Sequence, residues 1–297
     1  MTDLRAAVRA AAARLAEAGV ESAETDAVVL AAHALGVDAS EVRRLMVLGG
    51  REAPESYAAL VDERVRRVPL QHLTGTAHFR RLALAVGPGV FVPRPETEVL
   101  VDLAVDEIDR RVREGPDGIR VVDLCSGSGA IPLAIKDERP EVSVRAMELS
   151  PEAWAWSVAN RDRLGLDVGL ECGDATRPCF EDWAGTVDLV TINPPYIPVG
   201  AVPVDPEVRD HDPEVALYGG SEDGLAIPVA VARTAATLLR PGGLVLIEHA
   251  DTQGESLPRR LAQAHEWEDI ADHDDLTGRP RVTAARRAEA TGRETGG

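Results

Sequence analysis

Residues 119–129, which read IRVVDLCSGSG, decide the fold. The apolar run at 119–125 has the length of a buried strand, and the glycines at its end open a helix that starts at about residue 129. Gly127 and Gly129 let the backbone approach a ligand closely, and the free N–H groups of a helix start favour an anionic or polar group. Such a turn also joins strands to helices where no ligand binds, so alone it is a weak indication.

Strand and helix patterns alternate on both sides of this turn. Further strands are predicted at 144–149, 168–174, 187–193 and 242–249, with weaker runs near 265–272 and 279–285. Helices are predicted at 96–113, from 129, at 151–164 and near 224–240. The alternation predicts an α/β fold in which a mostly parallel sheet is covered by helices on both faces. Ligands of such sheets bind at the carboxyl ends of the strands.

The chain before residue 95 has a different pattern. Residues 1–75 are predicted to form a bundle of helices, punctuated by Gly19 and Gly36, with Ser40 capping a third helix and Pro54 opening a fourth. Residues 79–93 alternate apolar side chains around a turn at 87–89, and residues 76–94 are predicted to be a β-hairpin linker. The α/β domain then spans residues 95–287, and residues 288–297 are predicted to be a disordered tail.

Charge limits the classes of partner. The formal net charge is −18, and residues 1–85 are neutral, so residues 86–297 carry all of it. This counts against a nucleic-acid substrate, because affinity for nucleic acid comes mostly from neutralising phosphates. No signal peptide or apolar membrane span is recognisable, and an odd number of cysteines, three, indicates reduced thiols. A cytoplasmic protein with no membrane partner, no direct nucleic-acid partner and no metal site is therefore expected.

Two acidic residues follow the next two predicted strands. Glu148 ends the strand at 144–149, where a carboxylate can accept both hydroxyls of a ribose, as in dinucleotide-binding folds. Asp174 ends the following strand, where it can accept a hydrogen bond from an adenine amino group. Each is a weak signal, since exposed acids at strand ends are common. Their occurrence on successive strand ends beside the glycine turn is much more specific.

The most informative segment is Asn193-Pro194-Pro195-Tyr196, after the strand at 187–193. The prolines stiffen the backbone and have carbonyl oxygens but no N–H, so the loop is rigid and rich in acceptors. The Asn193 amide oxygen beside the Pro194 carbonyl makes a clamp for an NH₂ group, and Tyr196 supplies a flat face for a planar amide or base. An ordinary proline-rich turn is the alternative.

These motifs in this order resemble the class I S-adenosylmethionine-dependent methyltransferases that modify planar nitrogen. Within them, the chain most resembles the family of glutamine N5-methyltransferases that act on class I peptide-chain release factors. The resemblance covers residues 1–285, and the segment at 93–98 is the part most particular to this family. The motifs that carry it are residues 93–98 (PRPETE), 123–129 (DLCSGSG), 193–197 (NPPYI), 212–217 (DPEVAL) with Gly219-Gly220, 222–225 (EDGL), and 243–248 (GLVLIE) with Gln253.

The resemblance implies a Rossmann-like, seven-stranded methyltransferase sheet at 95–287, joined by the β-hairpin to an N-terminal helical domain that recognises the substrate. It implies transfer of a methyl group from S-adenosylmethionine to the glutamine of the Gly-Gly-Gln loop in release factors, which leaves S-adenosylhomocysteine and needs no metal. The implied catalytic residues are Asn193, Pro194, Pro195 and Tyr196. The implied cofactor-binding residues are Cys125, Ser126, Gly127, Ser128, Gly129, Glu148, Asp174, Ala175 and Asn193.

Three positions depart from the family pattern. Cys125 replaces the usual first glycine of the loop, Glu148 replaces an aspartate, and Asp212 replaces a glutamate. No needed chemical group is lost. Residues 93–98 should line the site, although an ion pair of structural importance is at least as good an interpretation of Arg94 as contact with substrate. For His249, and for Trp154, Trp156 and Trp183, a packing role is favoured.

Two other substrates fit the same motifs. A glutamine in a ribosomal protein would be modified by a sister activity that shares the clamp. An adenine N6 in nucleic acid is disfavoured by the charge and by an aromatic content of 3%. A module that only binds S-adenosylmethionine would not need the clamp.

Overall fold

The computed structural model describes residues 2–115 and 118–289. The helices are α1 (Leu4–Glu17), α2 (Ala23–Leu35), α3 (Ala39–Leu48), α4 (Glu55–Val65), α5 (Leu70–Thr74), α6 (Glu98–Glu114), α7 (Ala130–Glu138), α8 (Pro151–Leu164), α9 (Pro206–His211), α10 (Ala226–Leu238) and α11 (Ser256–Ala262). The strands are β1 (Thr76–Phe79), β2 (Leu82–Ala85), β3 (Arg120–Leu124), β4 (Ser143–Glu148), β5 (Val168–Cys172), β6 (Val187–Ile192), β7 (Leu239–Glu248), β8 (Trp267–Asp274) and β9 (Pro280–Arg287).

The chain forms two compact units. One contains the residues up to Thr76 together with Val86–Pro88 and Pro203–His211. The other contains Ala77–Ala85, Gly89–Val202 and the chain from Asp212 onward. The predicted domain limits did not foresee that Pro203–His211 would belong with the helices, because this segment lies far along the chain from them. Most of the predicted tail, residues 290–297, lies outside the described residues.

The helical unit packs around apolar side chains spaced three or four residues apart on α1 and α2. Leu4, Leu15, Leu30 and Val42 are among the fully buried members of this core. The cap of α3 differs from the prediction: Asp38 accepts the N–H of Glu41 at 2.7 Å, whereas Ser40 is already inside the helix. A carboxylate is as good a cap as a hydroxyl, so the pattern alone does not distinguish the two.

Two arginines, Arg64 buried and Arg67 half-buried, hold the inserted helix α9 in this unit. Arg64 donates to Asp26 at 2.8 Å and to Glu207 at 2.7 Å, and Arg67 also donates to Glu207, at 2.8 Å. A carboxylate buried among apolar helices would be costly without such partners. Glu207 therefore pairs its charge with both arginines and fixes α9 in the helical unit.

The β-hairpin lies earlier than predicted. Strands β1 and β2 turn at Arg80-Arg81, and residues 87–89 do not form the turn. Arg80 has a positive φ of 54°, and its N–H donates to Glu98 at 2.9 Å while its side chain pairs with Glu138. Tertiary contacts thus stabilise a turn for which the sequence supplies no glycine or asparagine.

The sheet of the second unit has seven strands in the order β5-β4-β3-β6-β7-β9-β8. The first five are parallel, while β9 is antiparallel to both of its neighbours. Alternate residues of the central strands enter two cores, one beneath α6 and α7 and one beneath α10 and α11. The predicted α/β sheet with helices on both faces is confirmed, including the two weaker strands. Since β5, β4, β3 and β6 are parallel neighbours, their carboxyl ends meet at one edge.

Candidate active site

The glycine loop after β3 is tied to the neighbouring strand. The Ser126 N–H donates to the Met147 carbonyl at 3.0 Å, and the Gly129 N–H donates to the Ser126 carbonyl at 2.8 Å. Gly127 and Gly129 have φ values of 56° and 84°. A side chain on Gly129 would lie 2.6 Å from the Ser157 hydroxyl, whereas one on Gly127 would meet nothing within 4 Å. Gly129 is therefore required by packing, and Gly127 faces open space.

Cys125 lies in the left-handed region too, with φ of 70°. This conformation favours glycine, and a side chain there costs roughly 1–2 kcal/mol. The departure at Cys125 therefore introduces backbone strain into the loop. Burial and the neighbouring carboxylates raise the pKa of its thiol, so the group is neutral and is not a candidate nucleophile.

Glu148 lies beside the glycine loop, as expected. Its carboxylate accepts the Gly127 N–H at 2.7 Å and the Ser150 N–H at 2.8 Å. Burial raises its pKa, and these two hydrogen bonds oppose the rise. A carboxylate has about four acceptor positions, so capacity remains for two hydroxyl groups. The next residue, Leu149, is 51% exposed and adds an apolar surface at the same strand end.

A second carboxyl group lies under the loop. Asp123 is fully buried and accepts the Thr191 hydroxyl at 2.6 Å, which joins the ends of β3 and β6. Burial raises its pKa to about 8. The proton that it holds at neutral pH lowers the cost of burying the group beside Glu148.

The end of β5 is arranged differently from the simple expectation. Asp174 accepts the N–H of Thr176 at 2.9 Å and its hydroxyl at 2.6 Å, and Arg177 lies at 3.2 Å. The Thr176 hydroxyl is the main cause of its lowered pKa. Asp174 thus stabilises a turn. An adenine amino group can be accepted only at the carboxylate positions that these hydrogen bonds leave free. Ala175 is buried beside it.

The segment from Asn193 to Tyr196 after β6, called the clamp loop, is held from two sides. The Asn193 Nδ2 donates to the Thr97 hydroxyl at 3.4 Å, and among the described residues no hydrogen bond reaches Asn193 Oδ1. On the other side, the Tyr196 carbonyl accepts the Gln253 side-chain amide at 3.0 Å. A side chain on Gly224 would lie 2.1 Å from the same carbonyl, so glycine is needed there. The loop therefore has a fixed backbone and an available amide oxygen.

A buried carboxyl group lies beneath Tyr196. The Tyr196 hydroxyl is 3.5 Å from Glu248 Oε1. Burial raises the pKa of Glu248 to about 7, and the Thr97 hydroxyl and Arg281 partly offset the rise. Burial also raises the pKa of Tyr196, so its hydroxyl is neutral at physiological pH.

Three side chains have contacts that bear on a structural role, which the sequence favoured for His249 and Trp183 and left open for Arg94. Arg94 pairs with the buried Asp212 at 2.6 Å and stacks on Phe91. Both nitrogens of His249 are occupied, by the Ala250 carbonyl at 2.8 Å and by Asp272 at 2.7 Å. Trp183 packs against Arg145 with a centroid distance of 4.2 Å.

The sequence reasoning missed three contributors to the site. Leu149 passed unnoticed because a lone apolar residue after a strand has no special pattern. Thr97 and Gln253 occurred only inside quoted motifs, although a buried hydroxyl and a buried amide need partners. The need of a buried polar group for a partner could have pointed to Thr97 and Gln253. Which atoms these two side chains contact depends on the fold.

The described residues contain no cluster of three or more His, Cys, Asp or Glu side chains suited to a metal ion. Within the same residues, no helix is long and apolar enough to cross a membrane.

Two family models match the chain. Residues 6–75 match the PrmC N-terminal domain, and residues 88–203 match the methyltransferase small domain. A solved methyltransferase from Pyrococcus furiosus shares the fold, with a TM-score of 0.51, 18% identity, and coverage of 70% of this chain and 90% of that one. The match to the methyltransferase small domain, on this fold, defines an S-adenosylmethionine-dependent methyltransferase.

Relatives that align over nearly their full length show to which family of methyltransferases the chain belongs. A release factor glutamine methyltransferase from Streptomyces coelicolor is 49% identical over 97% of this chain and 99% of its own length. Those from Mycolicibacterium smegmatis and Deinococcus radiodurans are 46% and 40% identical, over 98% and 96% of this chain and 100% and 99% of their own lengths. The chain belongs to the family of release factor glutamine methyltransferases.

Proposed function

We propose that this protein transfers a methyl group from S-adenosylmethionine to the side-chain nitrogen, N5, of the glutamine in the Gly-Gly-Gln loop of class I release factors. The observation that carries the proposal is Asn193, whose Nδ2 is engaged by Thr97 while its Oδ1 remains available. An available amide oxygen next to a proline carbonyl is a pair of acceptors that matches the two N–H bonds of a primary amide.

The glycine-loop edge fits S-adenosylmethionine. The open space over Gly127 can hold a compact polar group. Glu148 has acceptor positions left for a ribose, and the exposed Leu149 offers an apolar surface for a base. We assign Cys125, Ser126, Gly127, Ser128 and Gly129 to its methionine end, Glu148 to its ribose, and Asp174 and Ala175 to its adenine, with Asn193 alongside. When bound, S-adenosylmethionine supplies a methyl group on a positively charged sulfur that is already activated for transfer.

The residues of the clamp loop orient the glutamine. An amide nitrogen is a poor nucleophile because its lone pair is delocalised into the carbonyl. Acceptance of its two N–H bonds by Asn193 Oδ1 and the Pro194 carbonyl raises the electron density on nitrogen and fixes its direction. Pro195 keeps the loop rigid, and Tyr196 packs against the amide plane. None of these contributions requires a metal, and the residues of the helical unit are assigned to recognition of the release factor.

The test is a labelling experiment with three acceptors. The enzyme is incubated with labelled S-adenosylmethionine and with release factor, ribosomal protein or DNA in separate reactions. Mass spectrometry is expected to locate one added methyl group on the glutamine of the release factor loop. Label on a ribosomal-protein glutamine alone would assign the sister activity, and label in DNA alone would overturn the proposal. A cytoplasmic location stays a prediction.

A further inference from the structure

The buried face of α8 is made of small and polar side chains. Its buried residues are Ala153, Ser157 and Asn160, and the side chain of Asn160 is fully buried. Asparagine is a poor helix former, and an amide is costly to bury unless it has hydrogen-bond partners. Neither the helix nor an apolar core accounts for asparagine at this position, so its partners indicate what it does.

The side-chain amide of Asn160 joins two segments of the chain. Its Oδ1 accepts the Ala85 N–H at 2.6 Å, and its Nδ2 donates to the Ala85 carbonyl at 2.9 Å and to the Ser128 carbonyl at 3.0 Å. Only this orientation of the amide gives all three backbone groups a partner, because an N–H needs an acceptor and a carbonyl needs a donor. One side chain therefore ties the end of β2 to the glycine loop.

The peptide between Ser128 and Gly129 is held at both of its ends. Asn160 Nδ2 holds the Ser128 carbonyl, and the Gly129 N–H donates to the Ser126 carbonyl at 2.8 Å. Ser128 is only 2% exposed, so loss of the Asn160 donor would leave a buried carbonyl without its hydrogen bond and favour rotation of the peptide. The conformation of the glycine loop thus depends on a side chain 32 positions further along the chain.

We propose that Asn160 is a positioning residue for the methyl donor, because it fixes the Ser128–Gly129 peptide and so keeps residues 126–129 in the conformation that receives the methionine end of S-adenosylmethionine. This inference rests on the proposed function, which assigns the glycine loop to that cofactor. A loop that already has its bound conformation loses little conformational entropy when the ligand binds. Removal of the Nδ2 donor is therefore expected to weaken cofactor binding and to leave the clamp loop unaffected.

The test measures cofactor and substrate constants separately. Asn160→Asp keeps the shape and the acceptor for Ala85 but loses both donors, and Asn160→Ala removes the whole amide. Both variants should raise the dissociation constant for S-adenosylmethionine, measured by calorimetry, about tenfold or more. KM for the release factor at saturating S-adenosylmethionine should stay within about twofold of wild type, a split that a general loss of stability would not produce.

The matched control is Ser157→Ala, on the same buried face of α8. Ser157 is fully buried next to Gly129, and its hydroxyl has no hydrogen-bond partner among the described residues. The substitution therefore changes packing beside the glycine loop without removing a hydrogen bond. Its dissociation constant for S-adenosylmethionine should stay within about twofold of wild type, and a rise equal to that of the Asn160 variants would overturn the inference.

A second control separates the glycine loop from the hairpin. Arg163, three residues further along α8, donates to the Ala83 carbonyl and to Asn160 Oδ1, the latter at 3.2 Å. Arg163→Met loosens the attachment of β2 to α8 and keeps the bond from Asn160 to Ser128. Its dissociation constant for S-adenosylmethionine should equal that of wild type, whatever its melting temperature. A rise as large as that in Asn160→Asp would show that hairpin packing supports the loop, against the inference.

Hydrogen exchange in the wild-type enzyme tests the same link without a substitution. When S-adenosylhomocysteine is added, the Ala85 N–H should exchange at least about threefold more slowly, because its acceptor is the side chain that holds Ser128. The Gly278 N–H, in the turn between β8 and β9, should not respond. Unchanged exchange at Ala85, or an unchanged dissociation constant in folded Asn160 variants, would overturn the inference. These binding measurements need no release factor, so failure of the wild-type enzyme to methylate release factor would reject the proposed function separately.

Discussion

At the scale of single residues, Asn193 has one side-chain amide atom, Nδ2, in a hydrogen bond and the other, Oδ1, available to a substrate. Thr97 accepts from its Nδ2, so the side chain is oriented before a substrate arrives. Preorganised acceptors of this kind contribute most to the transition state because they need no rearrangement.

The first prediction concerns Asn193→Ala. Turnover should fall about a hundredfold or more, because the substrate amide loses one of its two acceptors. S-adenosylmethionine affinity by calorimetry should persist within a fewfold, and the melting temperature should not change. Turnover within threefold of wild type would contradict the role assigned to Asn193.

Glu248 is a carboxyl group that folding keeps protonated up to about pH 7. Its folded pKa lies above its ordinary value of 4.5, so the folded state binds the proton more tightly than the unfolded state. Ionisation of Glu248 therefore lowers the stability of the fold as the pH rises from about 4.5 to about 7.

The second prediction uses Glu248→Gln to isolate this effect. The free energy of unfolding of the variant, relative to wild type, should increase by about 3 kcal/mol between pH 4.5 and pH 8. Glu255→Gln, the same carboxyl-to-amide change at an exposed position next to α11, is the matched control. Chemical denaturation at a series of pH values measures both, and parallel curves for Glu248→Gln and wild type would refute the assignment.

At the scale of elements, residues 127–129 of the glycine loop serve both the packing of the fold and the binding of the cofactor. Gly129 has no room for a side chain, because Ser157 and Leu133 lie against it. Gly127 has room, but that room is the space assigned to the cofactor. The two glycines therefore serve the same loop for different physical reasons.

The third prediction compares Gly127→Ala with Gly129→Ala. Gly129→Ala should lower the free energy of unfolding by about 2–4 kcal/mol through overpacking and a positive φ. Gly127→Ala should cost only about 1 kcal/mol of strain but weaken S-adenosylmethionine binding at least tenfold. Thermal denaturation and calorimetry on both variants separate the effects, and equal losses of stability would be evidence against the distinction.

At the scale of the whole molecule, charge is unevenly distributed along the chain. Residues 1–85 are neutral, and the remaining residues carry the net charge of −18. From this charge we expect the catalytic domain to attract a basic protein substrate and to disfavour nucleic acid.

The fourth prediction is a salt dependence. KM for the release factor should rise several-fold between about 0.05 and 0.5 M salt, because the screening length falls from above 10 Å to below 5 Å. The kcat should change little, and KM for a short uncharged glutamine peptide should be constant. A release-factor KM that does not respond to salt would show that long-range charge plays no part in recognition.

Much of the architecture followed from local patterns. Short apolar runs separated by amphipathic helices predicted the α/β sheet, and even the weak run near 279–285 became β9. The turn of the hairpin was placed wrongly at 87–89, because a Gly-Pro-Gly sequence is a strong turn signal. Contacts of Arg80 with Glu98 and Glu138 place the turn elsewhere, and no local pattern records them.

By itself, the sequence determined the chemistry that this protein presents: a glycine turn, acids at successive strand ends, and an asparagine followed by two prolines. It did so because strand periodicity and proline stiffness are properties of neighbouring residues. Three contacts depend on tertiary packing: Thr97 orients Asn193, Gln253 holds Tyr196, and Glu207 joins the helical unit. These contacts join residues 57 to 143 positions apart, and such pairings depend on how the whole chain packs.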